Sequence, residues 1–432
     1  MKETVGIDKA ALRVVLLSSL GGALEFYDFI VFGVFGAYIS AAFFPAGDPL
    51  VSQIQTLAVF AAGYLARPIG GLLFGRRGDR HGRKGSFLLS LGIMSAATVA
   101  MGLVPSYATG GAICSVIFVL LRLVQGFCLG GELPGAVTYA VEVAPRRHAA
   151  LACGLVFGFV STGVLLATGV SQLLHALLDP ASMAQWGWRI AFWIGGALGV
   201  ASWALRRTME ESPAFVQMRA RLAADAAAGR DEGPIATLAR HHGKRLLLGI
   251  LATSIVAAFN GLLFAHMGGY LIRSLGYPPP AVATGLNIAS GVTAVALVAA
   301  CWVADRWSVV GVFRIGCALL AVVTLPAYLT LVAHGMALPM LFLLIGLSAA
   351  FTHGTFAFLL ADLFPTEVRF TGVALAMNLG AVIFSGLGPL LASSLMLWTG
   401  WQAVPGTIVT AAAVLSLVAT FWLPRFSGQL RT

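Results

Sequence analysis

Twelve apolar stretches, each long enough to cross a lipid bilayer, dominate this chain. A bilayer core takes about 20 residues of helix. On that ruler the candidates are roughly Val14–Ala42, Ile54–Gly75, Ser86–Val104, Ala112–Ala140, Ala149–Leu178, Arg189–Leu205, Leu246–Ile272, Ala281–Ala304, Val312–Val332, Leu338–Leu363, Thr371–Trp398 and Val404–Leu423. Backbone in lipid must satisfy its own polar groups, which an α-helix does within one segment. The expected fold is therefore an all-α integral membrane protein with 12 transmembrane helices. Composition agrees: 59% of the 432 residues are hydrophobic and only 10% charged, against about 25% charged in soluble domains. The first apolar run is too long for a signal peptide and has no convincing cleavage site, so it reads as a mature span.

Charge sets the orientation. With twelve spans and an inside N-terminus, 23 Lys/Arg fall in inside segments and two, Arg189 and Arg273, at outer borders. Positive residues accumulate on the cytoplasmic side, so both termini are expected there. The net charge of +10 sits at the ends of apolar segments. It forms no aromatic-interleaved basic patch, which argues against a nucleic-acid partner. Cys114, Cys128, Cys153, Cys301 and Cys317 lie inside apolar runs without a CxxC and are expected as buried free thiols. No metal cluster, nucleophile motif or phosphate loop stands out, so no cofactor, no metal and no enzyme activity are expected.

A long polar stretch, Arg206–Arg245, divides the chain into residues 1–205, a linker at 206–245 and residues 246–432. The flanking parts look related. Asp79-Arg80 follows the second span and Asp305-Arg306 the eighth, 226 positions apart. Glu142-x-x-Pro145 follows the fourth and Asp362-x-x-Pro365 the tenth, 220 apart. Two six-helix bundles related by a pseudo-two-fold, rocking about a shared site, are the expectation.

The densest polar block is Gly75-Arg76-Arg77-Gly78-Asp79-Arg80-His81-Gly82-Arg83-Lys84, which reads as a hairpin loop between the second and third spans. Its G-x-x-x-D-R-x-G-R-K pattern resembles the signature loop of the major facilitator superfamily. Five further motifs are similar to its metabolite:proton symporter family. They are Glu25-Phe26-Tyr27-Asp28-Phe29, Arg67-Pro68-Ile69-Gly70-Gly71, Arg122-Leu123-Val124-Gln125-Gly126 with Gly130-Gly131-Glu132, Trp186-Gly187-Trp188-Arg189, and Glu210-Glu211-Ser212-Pro213-Ala214-Phe215. The resemblance implies a single-chain, proton-coupled carrier of a small polar metabolite, such as citrate, 2-oxoglutarate, shikimate, proline or betaine. The second-half copy of the loop keeps Asp305-Arg306 but loses the G-R-K, which implies a weaker gate on that half. The short tail after Leu423 speaks against the osmosensing proline/betaine members.

Ionisable groups inside a bilayer are costly and are functional candidates by default. Glu25 and Asp28 share one helix face and lie at a depth that Arg67 can reach. Glu25, Asp28 and Glu132 are the proton-coupling candidates, with a fixed structural ion pair as the bland alternative. Arg122, whose planar guanidinium matches a carboxylate, leads the substrate-binding candidates. The others are Tyr27, Arg67, Asn260, His266, His353 and Asn378. Gly75, Asp79, Arg80, Gly82, Arg83, Lys84, Glu142, Asp305, Arg306 and Asp362 are candidates for gating. The expected function is proton symport of a small organic acid by alternating access, by a monomer in the bacterial inner membrane whose partners are the substrate, protons and lipid. A zwitterion symporter, a proton-driven exporter and a non-transporting membrane sensor are the alternatives.

Overall fold

The structure is a computed structural model that describes residues 9–45, 49–212, 214–218 and 233–428; the side chains of a few of these, Glu25 among them, lie outside the described set. Twelve helical spans run in the expected order. They are α1 (Lys9–Val34), α2 (Pro49–His81), α3 (Arg83–Leu103), α4 (Ala112–Val143), α5 (Ala149–Leu177) and α6 (Trp188–Arg206). The second half holds α7 (Gly243–Phe259), α8 (Pro279–Arg306), α9 (Val309–Val332), α10 (Leu338–His353), α11 (Arg369–Gly380) and α12 (Val404–Ala419). Helical continuations extend α7 through Met267–Arg273, α10 through Thr355–Leu363 and α11 through Gly388–Thr399. Among the described residues, eleven helical stretches are long and apolar enough to cross a membrane. The remaining span, α2, is 33 residues long.

Local chemistry ends these helices where it should. Asp179 accepts from Ala181 N–H and Ser182 N–H ahead of Pro180. Together with the Ser182 hydroxyl, these donors hold its carboxyl below the ordinary range. Ser308 caps α9 through Gly311 N–H at 3.1 Å. Gly400 takes φ +70° after the last turn of the α11 continuation, the left-handed conformation glycine adopts without a Cβ penalty.

The Gly75–Lys84 block differs from its reading as a loop. α2 stays helical through His81 and α3 begins at Arg83, so Gly82 alone, at φ +114°, makes the bend. Two of the polar side chains that suggested a loop, Asp79 and Arg83, are buried against the opposite half, whereas Arg76, Arg77, Arg80 and His81 are exposed. Arg206, read as the first linker residue, is the last residue of α6 and is fully buried.

Backbones of α2 and α4 touch where side chains would forbid it. A Cβ at Gly70 would collide with the Phe127 carbonyl, at Gly126 with that of Gly63, and at Gly130 with that of Arg67. Small residues permit this approach in lipid, where helix association depends on close packing. The two halves meet along α2 against α11 and α5 against α8. In the latter crossing, a Cβ at Gly154 would lie 2.8 Å from the Cys301 Cβ. All five cysteines are buried free thiols.

Candidate functional site

The basic residues Arg76, Arg77, Arg80, Arg83, Lys84, Arg146, Arg147, Arg306 and Arg369 gather at one end of the bundle, here called the basic end. A buried clasp closes it. Asp79 accepts from Phe370 N–H at 3.2 Å, Thr371 N–H at 2.9 Å and the Thr371 hydroxyl at 2.6 Å. It also pairs with Arg83 at 2.9 Å, and both side chains are essentially inaccessible. A first-half carboxylate thus caps the first turn of the second-half helix α11, where the helix dipole favours a negative charge. Arg83 continues inward to Glu142 at 3.1 Å and to the Thr366 carbonyl at 2.8 Å. Glu142 receives Arg369 of α11 at 3.1 Å and the Ser212 hydroxyl. Close packing allows the capping: a Cβ at Gly75 would lie 2.8 Å from Thr371 Cα, and one at Gly78 would enter the Phe370 ring.

Pseudo-symmetry repeats the cap, but the arginines of the clasp have no counterpart in sequence. Asp305 accepts from Ala150 N–H at 3.0 Å and Leu151 N–H at 2.8 Å, capping α5 from the other half. At the positions offset by 226 and 220 residues, Val309 stands for Arg83 and Ala149 for Arg369. Arg306 stacks on Trp302 at 3.6 Å, and Asp362 accepts from Gly428 N–H at 2.7 Å. A cavity of about 710 Å³ lies here, lined by Glu142, Arg146, Asp305, Asp362 and Arg369 among others.

Some residues of the clasp were invisible as such in the sequence. Glu211 accepts from the backbone N–H of Arg83 at 2.8 Å and of Lys84 at 3.3 Å. The Arg83 guanidinium lies over the Phe215 ring at 5.1 Å. The start of the supposed linker is therefore fastened to the clasp. Its Glu-Glu-Ser-Pro-Ala-Phe motif was the available signal. Arg80 is exposed and lies beside Gly233.

Deeper in the first half a polar relay crosses three helices. Arg122, ten residues or ~15 Å along α4, is buried, lies over Phe32 at 4.3 Å, and donates to Gln125 Oε1. Gln125 donates onward to Thr98 Oγ1 at 2.9 Å and Asp28 Oδ2 at 3.3 Å, and Thr98 donates to Asp28 Oδ2 at 2.7 Å. Among the described residues, the buried Asp28 Oδ1 has no hydrogen-bond partner. Of the two acids placed within reach of Arg67, Asp28 bonds Thr98 and Gln125, and Arg67 Nε donates to Asn378 Oδ1 at 3.3 Å. Glu25, the other acid on that face, falls outside the described side chains. Glu132 forms a fully buried ion pair with Arg206 and accepts from the Ser90 hydroxyl at 3.2 Å.

Between the halves lies a chamber of about 30 Å³, walled by Phe26, Phe29, Ile30, Tyr64, Phe157, Val160, Ser161, Val164, Asn260, Ser290, Thr293 and His353. That volume admits roughly a water, so the chamber is in a closed-down form. A smaller cleft shares Phe29 and Tyr64 with it and is lined by Arg67 and Arg122. Of the expected substrate contacts, Asn260 and His353 thus line the chamber, and Arg67 and Arg122 line its annex. The other three are engaged elsewhere. Tyr27 donates to the Ala191 carbonyl at 2.9 Å within the first half. Asn378 donates to the Gly130 carbonyl at 2.7 Å, joining α11 to α4. His266 bonds Ser393 at 3.2 Å and stacks on Tyr270. Two π-helical segments, Asn260–His266 and Ala381–Gly386, interrupt the second half beside the chamber. Such segments cluster at functional sites, and neither was foreseen.

The profile of the Major Facilitator Superfamily matches residues 19–385. The chain belongs to that superfamily. Its similarity to curated members spans nearly its whole length. It is 32% identical to the proline/betaine transporter of Salmonella typhimurium, covering 95% of this chain and 83% of the relative. It is 31% identical to the citrate-proton symporter of Klebsiella pneumoniae, covering 97% and 93%. It is 34% identical to the inner membrane metabolite transport protein YhjE of Escherichia coli, covering 94% and 92%. The branch read from its motifs, the metabolite:proton symporters, is the one these relatives represent, and they are transporters rather than enzymes. The fold is that of the proton:xylose symporter XylE solved with a bromodeoxyglucose, with a TM-score of 0.79 at 20% identity over 96% and 95% of the two chains. The facilitator fold thus places the clasp, the relay and the chamber in a multi-pass membrane protein.

Proposed function

We propose that this protein is a proton-coupled symporter of a small carboxylate-bearing metabolite in the bacterial inner membrane, with its basic end and both termini in the cytoplasm. The observation that carries the proposal is the relay in which one cation, Arg122, faces one buried acid, Asp28, through Gln125. A charge in a low-dielectric interior needs a partner. When a substrate carboxylate takes the guanidinium, Arg122 balances two anions. Asp28 then relieves the excess by binding a proton, for which its unpartnered Oδ1 is free. Substrate and proton are thereby bound together and released together. Glu132 is less suited, because Arg206 already neutralises it.

The bundles 1–205 and 246–432 rock about the chamber. The Asp79–Arg83–Glu142–Arg369 clasp holds the state closed at the basic end, and such pairs must break when that end opens. Two relatives in the same branch carry the names of a citrate-proton symporter and a proline/betaine transporter, which supports proton coupling and a carboxylate as the common element. A zwitterionic carboxylate is the second reading. It is favoured by the aromatic wall of Phe26, Phe29, Tyr64 and Phe157, since aromatic faces attract an ammonium group. The test is uptake of radiolabelled citrate, 2-oxoglutarate, proline and glycine betaine into proteoliposomes, with and without an inward-acid pH gradient. The proposal expects gradient-driven accumulation of at least one. Accumulation of none, or accumulation indifferent to the gradient, refutes it.

A further inference from the structure

The chamber wall supplied by the second half carries a more specific message than its apolar character suggests. His353 ends the first segment of α10, is 6% exposed, and meets the Phe259 ring edge to face at 4.7 Å. Its Nδ1 lies 3.0 Å from the Ala349 carbonyl oxygen. A carbonyl oxygen only accepts, so Nδ1 carries the hydrogen, and in the neutral ring Nε2 carries a lone pair. Among the described residues, the buried Nε2 has no hydrogen-bond partner. The neighbouring hydroxyls direct their hydrogens elsewhere. Ser290 donates to the Leu286 carbonyl at 2.9 Å, Thr293 to that of Gly346 at 3.2 Å, and Ser161 to that of Phe157 at 3.4 Å. Each presents lone pairs to the space it lines. Asn260 contributes both a donor and an acceptor there. Across the chamber, beyond Phe29 and Tyr64, the Arg67 and Arg122 guanidinium groups offer only donors.

We propose that this polarity selects the substrate: the second-half wall, with Nε2 of His353 as the deciding acceptor, takes carboxylates that also carry an N–H or O–H group and rejects counterparts in which that hydrogen is missing or replaced by methyl. The inference rests on the carboxylate-symport reading and narrows it. A buried acceptor left unsatisfied is costly, and a site built to bond an O–H or N–H discriminates strongly against the analogue without one. It separates two zwitterions that an aromatic wall alone would treat alike. An amine keeping its N–H groups satisfies His353, whereas a fully methylated ammonium has no hydrogen to give.

Matched pairs test this on the full-length protein in proteoliposomes. Citrate is compared with propane-1,2,3-tricarboxylate, which lacks only the hydroxyl. Proline is compared with N,N-dimethylproline, which lacks the N–H groups. In the wild type the donor-bearing member of at least one pair is taken up, or competes for uptake, at least about 10-fold better, the loss expected for one missing hydrogen bond. His353→Leu collapses that ratio toward one, and His353→Gln, which keeps an acceptor, retains most of it. Equal handling of both members by the wild type overturns the selection rule without touching carboxylate symport. A ratio unchanged in His353→Leu overturns the role of His353. Transport of none of the four compounds overturns this inference, and refusal of 2-oxoglutarate and glycine betaine as well overturns the carboxylate reading with it.

Discussion

Replacing Asp79 by Asn tests whether the buried clasp sets the balance between the two gated states. Four donors converge on this carboxylate: Phe370 N–H, Thr371 N–H, the Thr371 hydroxyl and the Arg83 guanidinium. Asn has the same shape but one acceptor oxygen, and its NH2 group would face donors. The variant loses a charge-assisted bond, worth about 1.5–3 kcal/mol, and part of a helix cap, worth about 0.5–2 kcal/mol. A shift of about 3 kcal/mol follows, or roughly 100-fold in the closed-to-open ratio at the basic end. All of these contacts belong to the closed arrangement, so the shift favours opening. Spin labels at exposed Arg77 and Glu367, one on each half, in a background with the native cysteines replaced, would report it as a distance distribution. Asp79→Asn should transfer most of the population to longer distances. Thr371→Ala, which removes one hydroxyl bond of about 1 kcal/mol, should shift it about 5-fold. Identical distributions for the wild type and Asp79→Asn, or a larger effect from Thr371→Ala, would refute the clasp as the determinant of the balance.

Three further outcomes are expected. Arg122→Lys keeps the charge but loses the planar fork, and should cut carboxylate uptake by about 10- to 100-fold while the protein still inserts, as judged by its elution in detergent. Glu132→Gln strands the buried Arg206 guanidinium, which also lies over Phe87 at 3.9 Å. Breaking such a pair costs about 3–5 kcal/mol, so thermal stability should fall clearly, whereas an unchanged melting temperature would show that the pair adds nothing. A cysteine at Ala227 should resist impermeant thiol reagents added outside intact cells and react after permeabilisation; labelling from outside would invert the topology.

The spans were legible because burial in lipid is written in composition: a run such as Val312–Val332 has few other places to go. The same logic misread Gly75–Lys84. Polar residues ordinarily mark a water-facing loop, yet here Asp79 and Arg83 are buried by the opposite half, and only the positive φ of Gly82 makes a turn. Depth along a helix follows from residue counting, so Glu25 and Asp28 were placed at a level that Arg67 can reach. Rotation about each helix axis does not follow from counting. Asp28 therefore turned out to bond Thr98 and Gln125 while Arg67 turned to Asn378. His266 and His353 looked equivalent as lone histidines in apolar runs. Only the packing distinguishes them, with one bonded to Ser393 and the other lining the chamber. Arg206 sat beside a charged stretch and was counted with it, although its partner Glu132 lies 74 residues away in sequence.

Proton movement linked to substrate is the central claim, and proteoliposomes loaded with a pH-sensitive dye measure it directly. Citrate, 2-oxoglutarate, proline or glycine betaine is added outside at equal internal and external pH, with the membrane potential clamped. For whichever compound is carried, wild-type vesicles should acidify inside as it enters. Asp28→Asn vesicles should not acidify, yet should still exchange the labelled compound against an internal pool, because exchange needs no proton release. Acidification by Asp28→Asn at the wild-type rate would contradict the account, since the proton would then ride on a group other than the one that shares Arg122 with the substrate.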